Sequence, residues 1–411
     1  MSPYVSAPAM SNSQTQSSNS TSRNAEVEVL LLCARAELDT PRRERLLELL
    51  RNGLDYDRLL PMAGSHGLAP LLWWHLSTVA PEAVPPHILG SLKAFFLENT
   101  KKMLQWTVTL FDVLDRLEKD DILAIPYKGP ALASRIYGNI ALRQRGDIDI
   151  LVDRRDVEGA RHTLEMAGFH NAQSISTASG EFMLRKRYSE IFVRETGPAV
   201  ELHWGFTRKG FAFPLELEDL RPRLKEGTLG GRSLPVFGTE DLLLILCAHG
   251  AKHCWDRLEW ITGVAEVVRQ ETVDWQEAVS RAMGLKAEKI LFLGLILAHD
   301  LLDAPVPASV IGEARSSRDV VRLAALVQDN LLAAKNGTGS TKPQNSLPKD
   351  LFKLRLQRSS ADRLRYVYHR LTTPRRYDTR LMVPLGRRSI PLPALVRPFR
   401  IVGKLIGYLF R

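Results

Sequence analysis

The sequence predicts an α+β protein: a small mixed-sheet core set between N-terminal and C-terminal α-helical segments. Three observations lead there. Apolar residues recur at helical spacing from Glu26 to Leu117, and the same period returns after Pro214. Between these stretches the pattern shortens to strand-length runs, ILAIPY, DIDILVD and VELHW. Strand and helix signals alternate there, which is the order of a mixed layer rather than of a bundle or a sandwich.

Taken in order, residues 1–24 are mostly Ser, Asn, Thr and Gln, too poor in large apolar groups to repay the entropy of ordering, and read as a disordered leader. Residues 25–118 form an N-terminal helical segment, with Val27, Leu30, Leu31 and Ala34, then Leu46, Leu47, Leu49 and Leu50, then Leu71, Leu72 and Leu76 on helical stripes. The core spans 119–210. It opens with a strand over Ile122–Tyr127 that Gly129-Pro130 stops, and a helix follows to Tyr137. A strand over Asp147–Asp153 comes next, then a helix in Arg155–Phe169 that Gly168 ends, then two or three strands around a turn at Thr196-Gly197-Pro198. Residues 211–335 read as a C-terminal helical domain, and 336–411 as a polar linker and basic tail.

Composition narrows the classes of function. With 45% hydrophobic and 25% charged residues, the chain is neither wholly disordered nor a multi-span membrane protein. Its 411 residues favour two or three packed units. The net charge of +10 is a property of the tail: residues 351–411 hold 15 Lys or Arg against Asp362 and Asp378, leaving 41 basic and 44 acidic groups in the first 350. A basic groove for nucleic acid in the folded body is therefore not expected. Three cysteines are too few for a disulfide framework, no basic region followed by an apolar stretch opens the chain, and a cytoplasmic protein is the default expectation.

Asp147 and Asp149 are separated by one residue on a strand and would project from the same face. Two unscreened carboxylates so placed repel unless a cation lies between them, and Mg²⁺ is the expected occupant. Glu201, flanked by Val200 and Leu202, offers a third carboxylate from a later strand, enough for a pair of ions in an in-line phosphoryl displacement. Lys128-Gly129-Pro130 lies at a strand-to-helix turn, where glycine lets a phosphate approach the backbone and the helix N-terminus favours negative charge. Lys128, Arg143 and Arg145 could supply cationic contacts to a triphosphate. Each of these signals has a plain alternative when taken singly: a solvated strand edge for Asp-x-Asp, an ordinary turn for Lys-Gly.

The run IPYKGPALASRIYGNIALRQRGDIDILVDRRDVEGARHTLEMAGF followed by VELHW, with HGLAPLLWWHL before it and AHGAKHCWDRLEW after it, resembles the bacterial family of uncharacterised nucleotidyltransferases, a branch of the DNA polymerase β-like superfamily. The likeness extends over roughly Glu26 to Arg400. It implies that Gly129 is the turn glycine, Asp147 and Asp149 the metal pair and Glu201 the third acid and general base. Pro130 departs from the superfamily's small polar residue, and the 17 residues between Gly129 and Asp147 exceed its usual spacing. The implied reaction moves a nucleoside monophosphate from a nucleoside triphosphate such as ATP to an acceptor, releasing pyrophosphate, with two Mg²⁺ ions. The resemblance further implies a basic residue from the following helical domain on the triphosphate, and Lys252 or Arg257 could be it. Protein, peptide, RNA end and small molecule all stand open as acceptor.

Other residues carry less. Cys247, His249, His253 and Cys254 cannot close one tetrahedral zinc site on a helix, because Cys247 and His249 face nearly opposite ways. His203 shares the strand face of Glu201 and either lines the site or is satisfied by a backbone carbonyl. The tryptophans Trp73, Trp74, Trp106, Trp255 and Trp260 read as core. LVRPFRIVGKLIGYLFR combines apolar residues with Arg397, Arg400, Lys404 and Arg411, a pattern compatible with peripheral contact with an anionic membrane, with packing on the protein's own helices, or with an acidic partner. The alternative to an enzyme is a non-catalytic scaffold, or a partner- or membrane-surface-binding protein, on the same fold.

Overall fold

The computed structural model describes residues 25–144, 146–172, 187–208, 210–211, 213–332, 349–372, 382–385 and 388–391. The leader, Arg145, residues 336–348 of the linker and the apolar end of the basic tail lie outside the described residues.

Residues 25–33 form α1, followed by α2 (Thr40–Arg51), α3 (Tyr56–His66) and α4 (Ala69–Val79). Asp39 and Asp55 begin α2 and α3 by accepting hydrogen bonds from the amides of Arg42 and Arg58. The 34-residue α5 (Pro86–Lys119) buries Ile88, Leu92 and Phe96 in one core and Leu110, Val113, Leu114 and Leu117 in another. One continuous stripe thus ties two hydrophobic clusters together.

The sheet contains β1 (Ala124–Pro126), β2 (Ile148–Val152), β3 (His170–Asn171), β4 (Ser189–Val193) and β5 (Val200–His203), with α6 (Gly129–Tyr137) and α7 (Val157–Met166) between its early strands. Its order is β1-β2-β5-β4-β3, parallel only between β2 and β5. Alternation divides its two faces. Ile148, Ile150, Val152, Val200 and Leu202 pack in the smaller core, while Leu151 joins the larger one on the opposite side. Asp149, Glu201 and His203 share that second face, turned toward the C-terminal helices.

Two features differ from the sequence expectations. A hairpin, β6 (Lys225–Leu229) and β7 (Arg232–Val236), interrupts the stretch read as all helical, turning at Gly230-Gly231 and burying Leu229 and Leu234 in the smaller core. After α8 (Thr239–Lys252), α9 (Leu258–Gln270), α10 (Trp275–Gly284), α11 (Glu288–Leu302), α12 (Ala308–Ser316) and α13 (Arg318–Leu332), the region read as linker and tail forms α14 (Lys349–Arg355), α15 (Ser360–Thr372) and a hairpin of β8 (Met382–Leu385) and β9 (Arg388–Pro391). Its cations are partly neutralised: Arg370 grips Asp350 through two bonds of 2.8 Å, and Arg363 lies 3.3 Å from Asp319. Phe352 and Leu356 are buried in the larger core, so this basic stretch is attached by packing as well as charge.

The run AHGAKHCW builds a slot. Trp255 is fully buried, and a Cβ at Gly250 would collide with its ring, so only glycine there lets the indole close against α8. Among the described residues no helix is long and apolar enough to cross a membrane.

Candidate active site

Asp149 on β2 and Glu201 on β5 are direct register partners of the one parallel strand pair, which places their side chains together on the same face. His203, two residues on, completes a group in which one ligand atom from each residue lies within 4.8 Å of the others. The imidazole Nε2 donates to Asp149 Oδ1 at 3.0 Å and stands 3.5 Å from Glu201 Oε2. Lys128 Nζ lies 2.5 Å from the same Asp149 oxygen. Ser189 on β4 donates its hydroxyl to Glu201 Oε1 at 2.7 Å. Tyr127 closes one side, with its ring edge-on to His203 at 5.4 Å.

The electrostatics follow from this crowding. Burial pushes the Asp149 carboxyl up, but the Lys128 charge and the His203 hydrogen bond outweigh it and hold the group below its ordinary range. Glu201 meets the same opposition from burial, and His203, Lys128 and Ser189 hold it well below the carboxylate range. Asp147 precedes β2 and keeps its side chain at the solvent edge. The protein mass beside it, together with the charges of Asp149 and Glu201, raises its carboxyl. It therefore faces the cluster electrostatically but stands outside the close Asp149–Glu201–His203 group.

Gly129 begins α6 at φ 58°, a left-handed conformation that costs other residues free energy. A Cβ there would lie 3.2 Å from the Asp147 carbonyl oxygen, so the glycine also permits the close approach of the loop that delivers Asp147. No side chain caps the first turn of α6, in which Pro130 has no N–H to offer. The helix α5 fixes the same loop from outside. Asn99 donates to the carbonyls of Ala141 and Arg143 at 3.0 and 2.9 Å, and Trp106 donates to that of Gly146 at 2.6 Å.

The cations read from sequence separate. Lys128 belongs to the cluster. Arg143 is engaged at 2.8 Å by buried Glu259, and Arg145 lies outside the described residues. Arg257 is 3.6 Å from the same glutamate. Lys252, at the end of α8, lies 5.0 Å over the Tyr188 ring, and it makes no ion pair among the described residues. Burial lowers its ammonium, partly offset by the charges of Glu201 and Asp149, which marks it as sharing their field. His249 meets Trp260 edge-on, His253 lies tilted against it, and the two form no metal group with the cysteines among the described residues. Sequence reasoning left two contributors out, Ser189 and Tyr188. Nothing in their local sequence pattern marks them.

The donor set fits a divalent cation in kind: two carboxylates and an imidazole converge, with a third carboxylate at the rim. Lys128 supplies the local positive charge that the buried acids otherwise lack.

A family model described as uncharacterised nucleotidyltransferase matches residues 52–303. No curated protein matches the chain. Among solved structures the chain is similar to the solution structure of antibiotic-resistance factor ANT(2'')-Ia, at 13% identity, covering 56% of this chain and 97% of that one with a TM-score of 0.29.

Proposed function

This chain belongs to the uncharacterised nucleotidyltransferase family, and from that premise we propose that it transfers a nucleoside monophosphate from a nucleoside triphosphate to an acceptor hydroxyl in a Mg²⁺-dependent reaction. The observation that carries the reading is the pairing of Asp149 with Glu201 across the parallel strands, beside Lys128 and the glycine-opened N-terminus of α6.

Asp147, Asp149 and Glu201 would hold two divalent ions, with His203 on the same face orienting Asp149 and Glu201. When bound, the metal supplies positive charge to the phosphoryl oxygens and lowers the proton affinity of the acceptor hydroxyl. Lys128, Lys252 and the first-turn amides of α6 would receive the triphosphate. The acceptor oxygen attacks the α-phosphorus as the bond from that phosphorus to the bridging oxygen breaks. Pyrophosphate leaves with that electron pair, and Glu201 takes the hydroxyl proton. The chain's own share is mainly position and charge.

Incubating the protein with each α-labelled triphosphate, Mg²⁺ and a cell extract should label an acceptor. EDTA should stop the labelling, and Asp149→Asn with Glu201→Gln should lower it by about a thousandfold or more, the loss expected when electrostatic groups of the transition state go. Equal labelling by the folded double variant would show that these carboxylates do not carry the reaction.

A further inference from the structure

A cavity of about 310 Å³ opens beside the carboxylate cluster, between the loop after β5, the end of α10 and the helix α15. Its size suits a small molecule rather than a polymer. Tyr188 joins the two sites: it lines the cavity, its ring lies 6.2 Å from that of His203, and Lys252 sits over it. Buried Phe206 and Phe211 supply apolar wall.

The charge of this lining is opposite to that of the cluster. Five cationic side chains face it against two carboxylates, Glu216 and Asp362. The acids are already committed, Glu216 to Arg154 at 3.4 Å and Asp362 to Arg365 at 3.5 Å. Arg208 and Lys286 make no ion pair or side-chain hydrogen bond among the described residues. Lys286 holds this place at φ 57°, just past the end of α10, where glycine or asparagine is the usual occupant. Two exposed cations on different loops, without an ion pair among the described residues and over an aromatic wall, match a doubly charged oxyanion on an apolar or ring-shaped body. A cationic acceptor would meet like charge here.

We propose that this cavity is the acceptor pocket and that it takes a small phosphomonoester, held through Arg208 and Lys286, with the nucleophilic hydroxyl directed past Tyr188 toward Glu201. The identification as acceptor rests on the nucleotidyl-transfer reading, whereas the phosphate site rests on the cavity alone. The basic stretch after residue 349 then has a place in the site, because Asp362, Arg365 and His369 of α15 form one wall.

Phenyl phosphate, benzoate and phenol serve as probes in calorimetric titrations of the full chain. Phenyl phosphate should bind, benzoate more weakly, and phenol without measurable heat. Arg208→Gln with Lys286→Gln should weaken phenyl phosphate about tenfold or more, the loss of one or two charge-assisted hydrogen bonds, with the melting temperature unchanged. Saturating Mg²⁺ and a non-hydrolysable triphosphate should leave that binding in place, and the double variant should still bind the triphosphate. Equal affinity in wild type and variant, equal binding of phenol, or displacement by the triphosphate would each overturn the proposal. Failure of the wild type to bind any triphosphate, with phenyl phosphate still bound, would instead remove the transfer reading and keep the phosphate site.

Discussion

At the scale of single residues, Gly129 and Lys252 make separable demands. Alanine at 129 must adopt φ 58° and meet the Asp147 carbonyl at 3.2 Å. Gly129→Ala should cost about 1–2 kcal/mol in urea unfolding, from the left-handed penalty alone. Transfer should fall further, about tenfold, because the same contact sets the loop that carries Asp147; an unaffected rate would show that the loop position does not matter. Lys252 is a half-buried cation without an ion pair among the described residues. Lys252→Met should therefore hold or raise the melting temperature while raising KM for the triphosphate about tenfold, the worth of one ionic phosphate contact. A lower melting temperature with unchanged KM would give the lysine a structural role. Strand period put Asp147 and Asp149 on one face, and the family resemblance joined Gly129 and Glu201 to them. The sequence left His203 open, because an imidazole on a strand face does not declare whether carbonyl or carboxylate will meet it; here it bridges Asp149 and Glu201.

At the scale of elements, strong periodicity was read well and weak alternation was not. The strands expected at 122–127 and 147–153 appear as Ala124–Pro126 and Ile148–Val152, shortened at ends where pairing stops. The β6–β7 hairpin escaped because four of the five positions in Lys225–Leu229 are exposed or half-exposed, with Leu229 alone buried, and only Gly230-Gly231 signals the turn. The position of α6 depends on a contact no sequence period encodes. Arg135 reaches Glu271 through two bonds of 2.6 Å and the Phe237 carbonyl through a third, fastening the helix that bears Gly129 to the C-terminal bundle. Arg135→Ala leaves the largely buried Glu271 without this partner and should destabilise the fold by about 2–3 kcal/mol in urea. A change below 0.5 kcal/mol would assign the pair a merely decorative place.

For the whole molecule, stability should depend on pH through buried neutral imidazoles. Burial pushes the His75 ring down to about 4, while its Nε2 donates to the Arg35 carbonyl at 2.8 Å. With an ordinary value of 6.5, the unfolded chain binds the proton that the folded chain refuses between pH 6.5 and 4. Stability present above pH 6.5 is thus lost as pH falls through that window, by up to about 3 kcal/mol from this residue. The difference in unfolding free energy between wild type and His75→Gln should shrink over the same range, and a constant difference would exclude the mechanism.

Helix, strand and the acid-bearing positions were written locally, because burial of one face imposes a period of 3.6 or 2 that the sequence must carry. Family membership belongs to that legible part, since the run from the glycine turn to VELHW is a linear motif. Which charges meet follows instead from the packing of distant elements. Asp149 and Glu201, 52 positions apart, became partners through strand register; Arg143 was drawn to Glu259, and α15 came to wall a cavity beside residues far earlier in the chain. Such pairings depend on how packed elements stack in space, and no local period records the distance between side chains so widely separated along the backbone.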